Sequence, residues 1–359
     1  MAAVENILVA QTSFVGDVVL TTPLLAALRR RFPGARLAVL CTPSAKELLA
    51  NDPAIDEIIV LKKKRDGGRR SGIFETARTL RARHFTMAIS PHKSLRTALM
   101  LALAGIRLRI GFRQSAGWFL YHRRVDRNGL AHDVERNLSL LRGLGIEPEA
   151  GEAVPRVEAA PAAREAAGRV FEELGIARGD TVIGVNPGSV WPTKRWTAEG
   201  YAAVSAALAK KHGARVVVFG GPDDRQIAEQ VVRLAACGAV SVAGRLSLGE
   251  LAAAIDRCKV FITNDSGPMH IAVARDVPVV AIFCATTPAL GFYPYSSRAV
   301  VVEKDLPCRP CGTHGGLRCP LGTDACMRLI RPEDVLMGVE RLLEGDSGRD
   351  AHRPLSIAV

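Results

Sequence analysis

Val260-Phe261-Ile262-Thr263-Asn264-Asp265-Ser266-Gly267-Pro268-Met269-His270 passes from an apolar, β-branched run into a polar turn and then a proline. Such an order reads as a buried strand handing over to a helix, with Pro268 at or near the first helical position. The junction leaves backbone N–H groups at Ser266, Gly267 and Met269 without helical partners, and the helix dipole adds to their attraction for an anion. Residue type alone also allows Asp265 and Ser266 to be simple N-caps, and His270 to be a satisfied core histidine.

The same grammar recurs on both sides of this stretch. Residues 181–185, 214–219, 240–242 and 278–283 read as strands; in the first half so do residues 7–10, 36–40, 57–61 and 86–90. Helical runs fall between them at residues 18–32, 45–50, 73–83 and 95–104. Strands alternating with helices imply βαβ units, and hence an α/β chain with parallel sheets covered on both faces. Between about residues 147 and 180 the rhythm gives way to Glu-, Pro- and Ala-rich sequence with one helix at 162–174, which divides the chain in two. Two such halves are expected to leave a crevice at the carboxyl ends of their strands, where open α/β sheets bind ligands. No G-x-G-x-x-G follows either first strand and no G-x-x-x-x-G-K-[ST] is present, which weighs against a dinucleotide-dependent dehydrogenase and a P-loop enzyme.

At 359 residues and 48% apolar content the chain can bury two cores, which excludes disordered and fibrous classes. No apolar run approaches the roughly 20 residues of a membrane-spanning helix, and the start shows no signal-peptide pattern, so the expected location is the cytosol. Charge is lopsided. Residues 1–150 carry 24 Lys+Arg against 13 Asp+Glu, whereas the rest carry 24 against 23. A positive field confined to one half points to an anionic macromolecular partner, and its densest piece is Lys62-Lys63-Lys64-Arg65. That run is either a solvated face or a contact for acidic lipid or glycolipid; with only 5% aromatic residues and no nucleic-acid-binding signature, nucleic acid is not expected.

Three further loops carry candidate chemistry. After strand 181–185 comes Asn186-Pro187-Gly188-Ser189, followed by Lys194-Arg195-Trp196; Lys194 is a compact charge suited to a diphosphate, or else one of a surface pair. Gly220-Gly221-Pro222-Asp223 could set a carboxylate against a ribose hydroxyl. In Ser13-Phe14-Val15-Gly16-Asp17-Val18, Asp17 is a helix cap or a base able to take a proton from a hydroxyl. Cys308, Cys311, Cys319 and Cys326 begin as a C-x₂-C pair suited to zinc, but the next intervals of seven and six residues depart from the paired knuckle, and reduced thiols are the alternative.

Taken together, these motifs resemble the ADP-heptose:lipopolysaccharide heptosyltransferases, inverting glycosyltransferases with two Rossmann-like domains (the GT-B type), over nearly the whole chain. The Phe14–Asp17 stretch, the Pro192-x-Lys194-Arg195-Trp196 spacing and the cysteine-rich segment look most like heptosyltransferase II, with types I and III as neighbours. The resemblance implies two parallel sheets facing a central cleft. It implies an acceptor-binding domain at 1–155, a linker at 156–179, a nucleotide-sugar domain at 180–345 and a flexible tail at 346–359. It makes Asp17 the general base and Lys194 the neutraliser of the diphosphate. Ser189, Asp223, Asp265, Ser266, Gly267, Met269 and His270 would bind the donor ADP-heptose, and Lys62, Lys63, Lys64 and Arg65 the acceptor. That acceptor would be a Kdo-lipid A type inner core at the cytoplasmic face of the inner membrane. The resemblance implies no cofactor for catalysis, while zinc at the cysteines stays open. A binding protein without turnover is the reading from a different class.

Overall fold

The computed structural model describes residues 6–61, 68–149, 151–348 and 350–358. Lys62, Lys63, Lys64 and Arg65, read as the acceptor contact, lie outside the described residues. The chain divides into two compact units, Met1–Glu158 and Ala159–Val359.

In the first unit six parallel strands, β1 (Asn6–Ala10), β2 (Arg36–Cys41), β3 (Glu57–Val60), β4 (Met87–Ser90), β5 (Leu108–Phe112) and β6 (Arg123–Val125), lie in the order β3-β2-β1-β4-β5-β6. Helices α1 (Val15–Val19), α2 (Thr22–Arg31), α3 (Lys46–Leu49), α4 (Gly68–Arg81), α5 (Leu95–Leu103) and α6 (Asp133–Ser139) occur between and after them. The helix expected over 18–32 is two helices. Leu20 and Thr21 separate them, and Pro23 sits in the first turn of the second, where its missing N–H costs nothing. The inner strands are apolar along their whole length because both faces are covered: in β1, Ile7, Leu8, Val9 and Ala10 are all buried.

The second unit repeats the scheme. Its strands are β7 (Val182–Asn186), β8 (Arg215–Val218), β9 (Val240–Ser241), β10 (Cys258–Asn264), β11 (Val279–Phe283), β12 (Ala299–Glu303) and β13 (Leu355–Ala358), all parallel, in the order β13-β12-β11-β10-β7-β8-β9. Its helices are α7 (Pro161–Glu173), α8 (Ala198–His212), α9 (Arg225–Ala235), α10 (Leu248–Ile255), α11 (Gly267–Ala274), α12 (Ala325–Arg328) and α13 (Pro332–Leu343). Two expectations change here. Residues 159–179 belong to this unit, with α7 packed against α10, rather than standing as a free linker. The end of the expected flexible tail is β13, whose Ile357 joins the core beside β12.

Both sheets reverse their winding once, between β1 and β4 and between β7 and β10. The chain leaves those neighbouring strand ends toward opposite faces of the sheet, so the loops diverge and open a niche. Of the sequence motifs singled out above, those holding Asp17, Lys194 and Asp265 follow β1, β7 and β10, and Gly220-Gly221-Pro222-Asp223 follows β8.

Candidate active site

In the second unit, the niche is built by the loops after β7 and β10. Asn264, the last residue of β10, is fully buried and joins them. Its Nδ2 donates to Pro187 O (2.9 Å) and Gly188 O (3.3 Å), while its Oδ1 accepts from the backbone N of Trp196 (2.9 Å) and from the Tyr201 hydroxyl (2.9 Å). Trp196, 1% exposed, anchors the loop in the core and donates its indole N–H to Ile330 O at 3.2 Å. So braced, the 3₁₀ turn Pro192–Lys194 brings Lys194 Nζ to 2.6 Å from Asp265 Oδ2, with side-chain exposures of 13% and 7%. The same oxygen accepts the Thr286 hydroxyl at 2.7 Å. Two residues picked out on separate loops are thus one ion pair.

Ser266 is the N-cap of α11, Gly267 its first residue and Pro268 its second. Met269 N donates to Ser266 O at 3.1 Å, so its N–H is spent within the turn, and its side chain has no exposed surface. Ser266 and Gly267 are left as the amides able to meet an anion at this helix start. His270 is 5% exposed, on the buried side of α11. Ser189, 9% exposed, accepts Arg195 Nε (2.8 Å) and Nη2 (2.6 Å) on its carbonyl. Arg195 also reaches Asp224 at 3.6 Å, and Asp224 accepts the Gly221 N–H at 3.0 Å. Asp223, picked for the ribose, is exposed; the carboxylate built into the loop is its neighbour Asp224. An ideal Cβ at Gly188 would fall on that carboxyl group, so a larger residue there would push the Asp224 side chain aside.

Sequence reading missed Arg309. Its guanidinium, 3% exposed, donates to Phe283 O (2.9 Å), Thr286 O (2.5 Å), the carbonyls of Cys284 and Lys304, and Glu303 Oε2 (3.0 Å). It therefore clamps the end of β11 and the turn carrying Thr286, and through Thr286 it fixes Asp265. The segment beyond it is tied to the Lys194 turn: Thr193 Oγ1 accepts Gly316 N (2.7 Å) and donates to Gly316 O (3.0 Å), and Cys311 N donates to Ala285 O (2.9 Å).

The cysteines give no support to zinc. Among the described residues, no three His, Cys, Asp or Glu side chains are placed to hold a metal. Cys311 Sγ donates to Cys308 O at 3.5 Å, and Cys326 is packed in the core, where burial pushes its thiol up to about 11. Cys319 goes the other way, its thiol lowered by backbone N–H groups of Asp324 and then Leu321.

In the first unit, Asp17 occupies the third position of α1. Its Oδ2 accepts the Ser13 hydroxyl (2.6 Å) and the Phe14 N–H (3.2 Å), so the carboxylate both closes the helix start and is held in one orientation. Loop 91–94, after β4, completes the niche: His92 Nδ1 lies 2.9 Å from Thr12 Oγ1 and 3.0 Å from Thr97 Oγ1. Burial and then Lys93 hold His92 below the usual imidazole range. Lys93 itself is lowered by desolvation and then by Arg127, with Asp17 among the charges opposing the shift. Arg127 and Arg136 share Asp133, at 2.5 Å and 3.5 Å.

The first unit thus holds an oriented carboxylate, and the second holds a lysine beside helix-start amides, residue types suited to a transferase with an anionic donor. Residues 73–316 match the family model for glycosyltransferase family 9 (heptosyltransferase). The chain belongs to this family and is a glycosyltransferase of the GT-B fold. It is 28% identical over 343 residues to lipopolysaccharide heptosyltransferase 3 of Escherichia coli, spanning 92% of this chain and 97% of that relative. Among solved structures it is similar to a glycosyl transferase family 9 protein from Veillonella parvula DSM 2008 (TM-score 0.85, 29% identity, 96% and 98% of the chains). It is also similar to E. coli ADP-heptose lps heptosyltransferase II (TM-score 0.77, 25% identity, 94% and 98% covered).

Proposed function

We propose that this glycosyltransferase moves heptose from ADP-heptose to the inner core of lipopolysaccharide with inversion at the anomeric carbon. Within the family we read it as heptosyltransferase II, acting on heptosyl-Kdo₂-lipid A at the cytoplasmic face of the inner membrane. The observation that carries the reading is the Lys194–Asp265 pair beside the amides of Ser266 and Gly267. A nucleoside diphosphate leaving group accumulates negative charge as the glycosidic bond breaks, and a fixed ammonium with oriented N–H donors meets that charge without reorganising. Asp265, with Thr286 donating to it, would receive heptose hydroxyls, and Ser189 and Asp224 would border the nucleoside. Asp17 would accept the proton of the attacking acceptor hydroxyl, so that the new bond forms as the bond to ADP breaks. Lys62, Lys63, Lys64 and Arg65, together with Lys93, supply positive charge for the carboxylates and phosphates of the acceptor. The type II assignment is supported by the motifs around Asp17, Lys194 and the cysteine-rich segment.

Continuous measurement of ADP release with ADP-heptose and a series of truncated cores tests this. Turnover only on the core bearing one heptose is the expected result. Turnover on a heptose-free or a two-heptose core would move the assignment to type I or III, and donor binding without ADP release would leave a binding protein.

A further inference from the structure

Outside both niches, the connection from β5 to β6 carries Trp118 and Phe119 on a 3₁₀ turn, exposed to 46% and 57%. Their rings meet edge to face with centroids 6.1 Å apart. Leu95, at the start of α5 and 45% exposed, extends the apolar surface; Gly117 lets the turn pack tightly on α5, since an added Cβ would fall on Ala98 Cβ. The turn is not a loose loop. Ala116 N donates to Lys93 O (3.0 Å), Trp118 N to Ser115 O (3.1 Å), and Arg109 Nε to Leu120 O (2.8 Å). Two adjoining aromatic side chains held rigidly in water forgo burial that a partner would restore.

What adjoins them indicates the partner. Arg124 lies over the Trp118 ring at 4.8 Å and also lines an open hollow of about 600 Å³ with Arg123 and Arg142. The carboxylate among its lining residues, Asp126, is paired with Arg113 at 3.0 Å, and Arg142 is itself paired with Glu147 at 2.9 Å, which leaves Arg123 and Arg124 as its cations without a carboxylate partner among the described ion pairs. Aromatic rings that have an apolar body and sit beside cations suit the level of lipid headgroups, where rings enter the acyl boundary and guanidinium groups meet phosphates.

We propose that Trp118 and Phe119, with the hollow formed by Arg123, Arg124 and Arg142, dock this glycosyltransferase on an anionic phospholipid bilayer. The inference extends the reading of a lipid-borne acceptor by naming the surface that meets the membrane. Membrane binding is tested without substrate. The full chain is sedimented with vesicles of phosphatidylcholine alone and of phosphatidylcholine mixed with phosphatidylglycerol, and Trp118 is probed by quenching with brominated lipid. Expected are salt-sensitive binding to the mixed vesicles and quenching that disappears in Trp118→Phe. Binding should weaken about tenfold or more in Trp118→Ala/Phe119→Ala and in Arg123→Glu/Arg124→Glu. Heptose transfer to a soluble core oligosaccharide should be unchanged in these variants, which also shows that they fold. Equal vesicle binding by wild type and variants would overturn the proposal. So would binding indifferent to phosphatidylglycerol, or capture of glycerophosphate or RNA in place of vesicles. Transfer without vesicle binding removes the docking surface alone, and vesicle binding without transfer removes the enzymatic reading alone.

Discussion

Lys194 Nζ and the Thr286 hydroxyl converge on one oxygen of Asp265, at 2.6 Å and 2.7 Å. A nearly enclosed carboxylate with two donors on a single oxygen is held in one orientation, and the ammonium is held with it. On the proposed reading, a diphosphate entering the niche would meet a lysine already in place, and Asp265 would keep its second donor when Lys194 shares its charge with the phosphate.

Lys194→Ala removes the cation and leaves Asp265 5% exposed with its main partner gone. Donor affinity is expected to fall at least about tenfold and turnover about a hundredfold. Stability should drop by about 2 kcal/mol, below the range for fully buried pairs because Lys194 retains some contact with water. Titration calorimetry with ADP and thermal unfolding measure the two effects; unchanged ADP affinity would place Lys194 outside the donor site.

Asp17→Asn keeps the shape of the side chain and an oxygen for the Ser13 hydroxyl and the Phe14 N–H, but it cannot take up a proton at neutral pH. Turnover should fall at least about 10²-fold with donor affinity intact. Single-turnover kinetics with saturating donor check this, and near wild-type turnover would leave Asp17 as a helix-closing residue only.

Arg309→Met withdraws one guanidinium from four carbonyls and a carboxylate. A loss of about 3 kcal/mol is expected from the uncompensated acceptors. Because the clamp ends at Thr286, the variant that remains folded should bind ADP-heptose more weakly than ADP alone, a difference that general destabilisation does not produce. Thr286→Val, which takes only the hydroxyl from Asp265, should reproduce that difference at about half the cost in stability. Parallel losses for both ligands would sever Arg309 from the sugar-binding role proposed for Asp265.

Much of this was legible in the sequence, and the exceptions have physical causes. Strands β1, β7 and β10 are buried on both faces along most of their length, β10 from Val260 onward, and read as apolar runs, and the turns after them need Gly, Pro and Asx residues. Strand β6 carries two exposed arginines and β13 exposes Ser356 and Ala358, as edge strands do, so neither shows that signature. Strand β5 was hidden by Arg109, whose guanidinium satisfies the carbonyls of Ile106 and Leu120. Lys194, Asp265, Ser266 and Gly267 announced themselves because their chemistry lies in residue type. Arg309 did not, since its partners are mostly backbone carbonyls that no residue type marks, and it stands between cysteines whose spacing suggested a metal. Asn264 was quoted within its motif, yet its role depends on contacts 63 to 77 residues away along the chain.

Glu152 gives the first unit an acid-sensitive tie. Its Oε1 accepts Arg30 Nη2 (2.9 Å) and Arg31 Nη1 (2.6 Å), and its Oε2 accepts the Glu149 N–H (2.8 Å), joining α2 to the end of the unit. Burial acts to raise its carboxyl, but these donors together outweigh it and hold the group below the ordinary glutamate range. A lowered folded value means that the unfolded chain takes up the proton first as pH falls. The stabilisation is therefore fully present above about pH 4.3 to 5, the range of an unfolded glutamate, and is lost as pH drops through the lower folded value. Glu152→Gln should cost about 2 kcal/mol at neutral pH. Below the folded value of Glu152, wild type carries a protonated, neutral group as the variant does, so the two urea-unfolding curves should converge; a constant gap across that window would mean that Glu152 acts through packing and not through its charge.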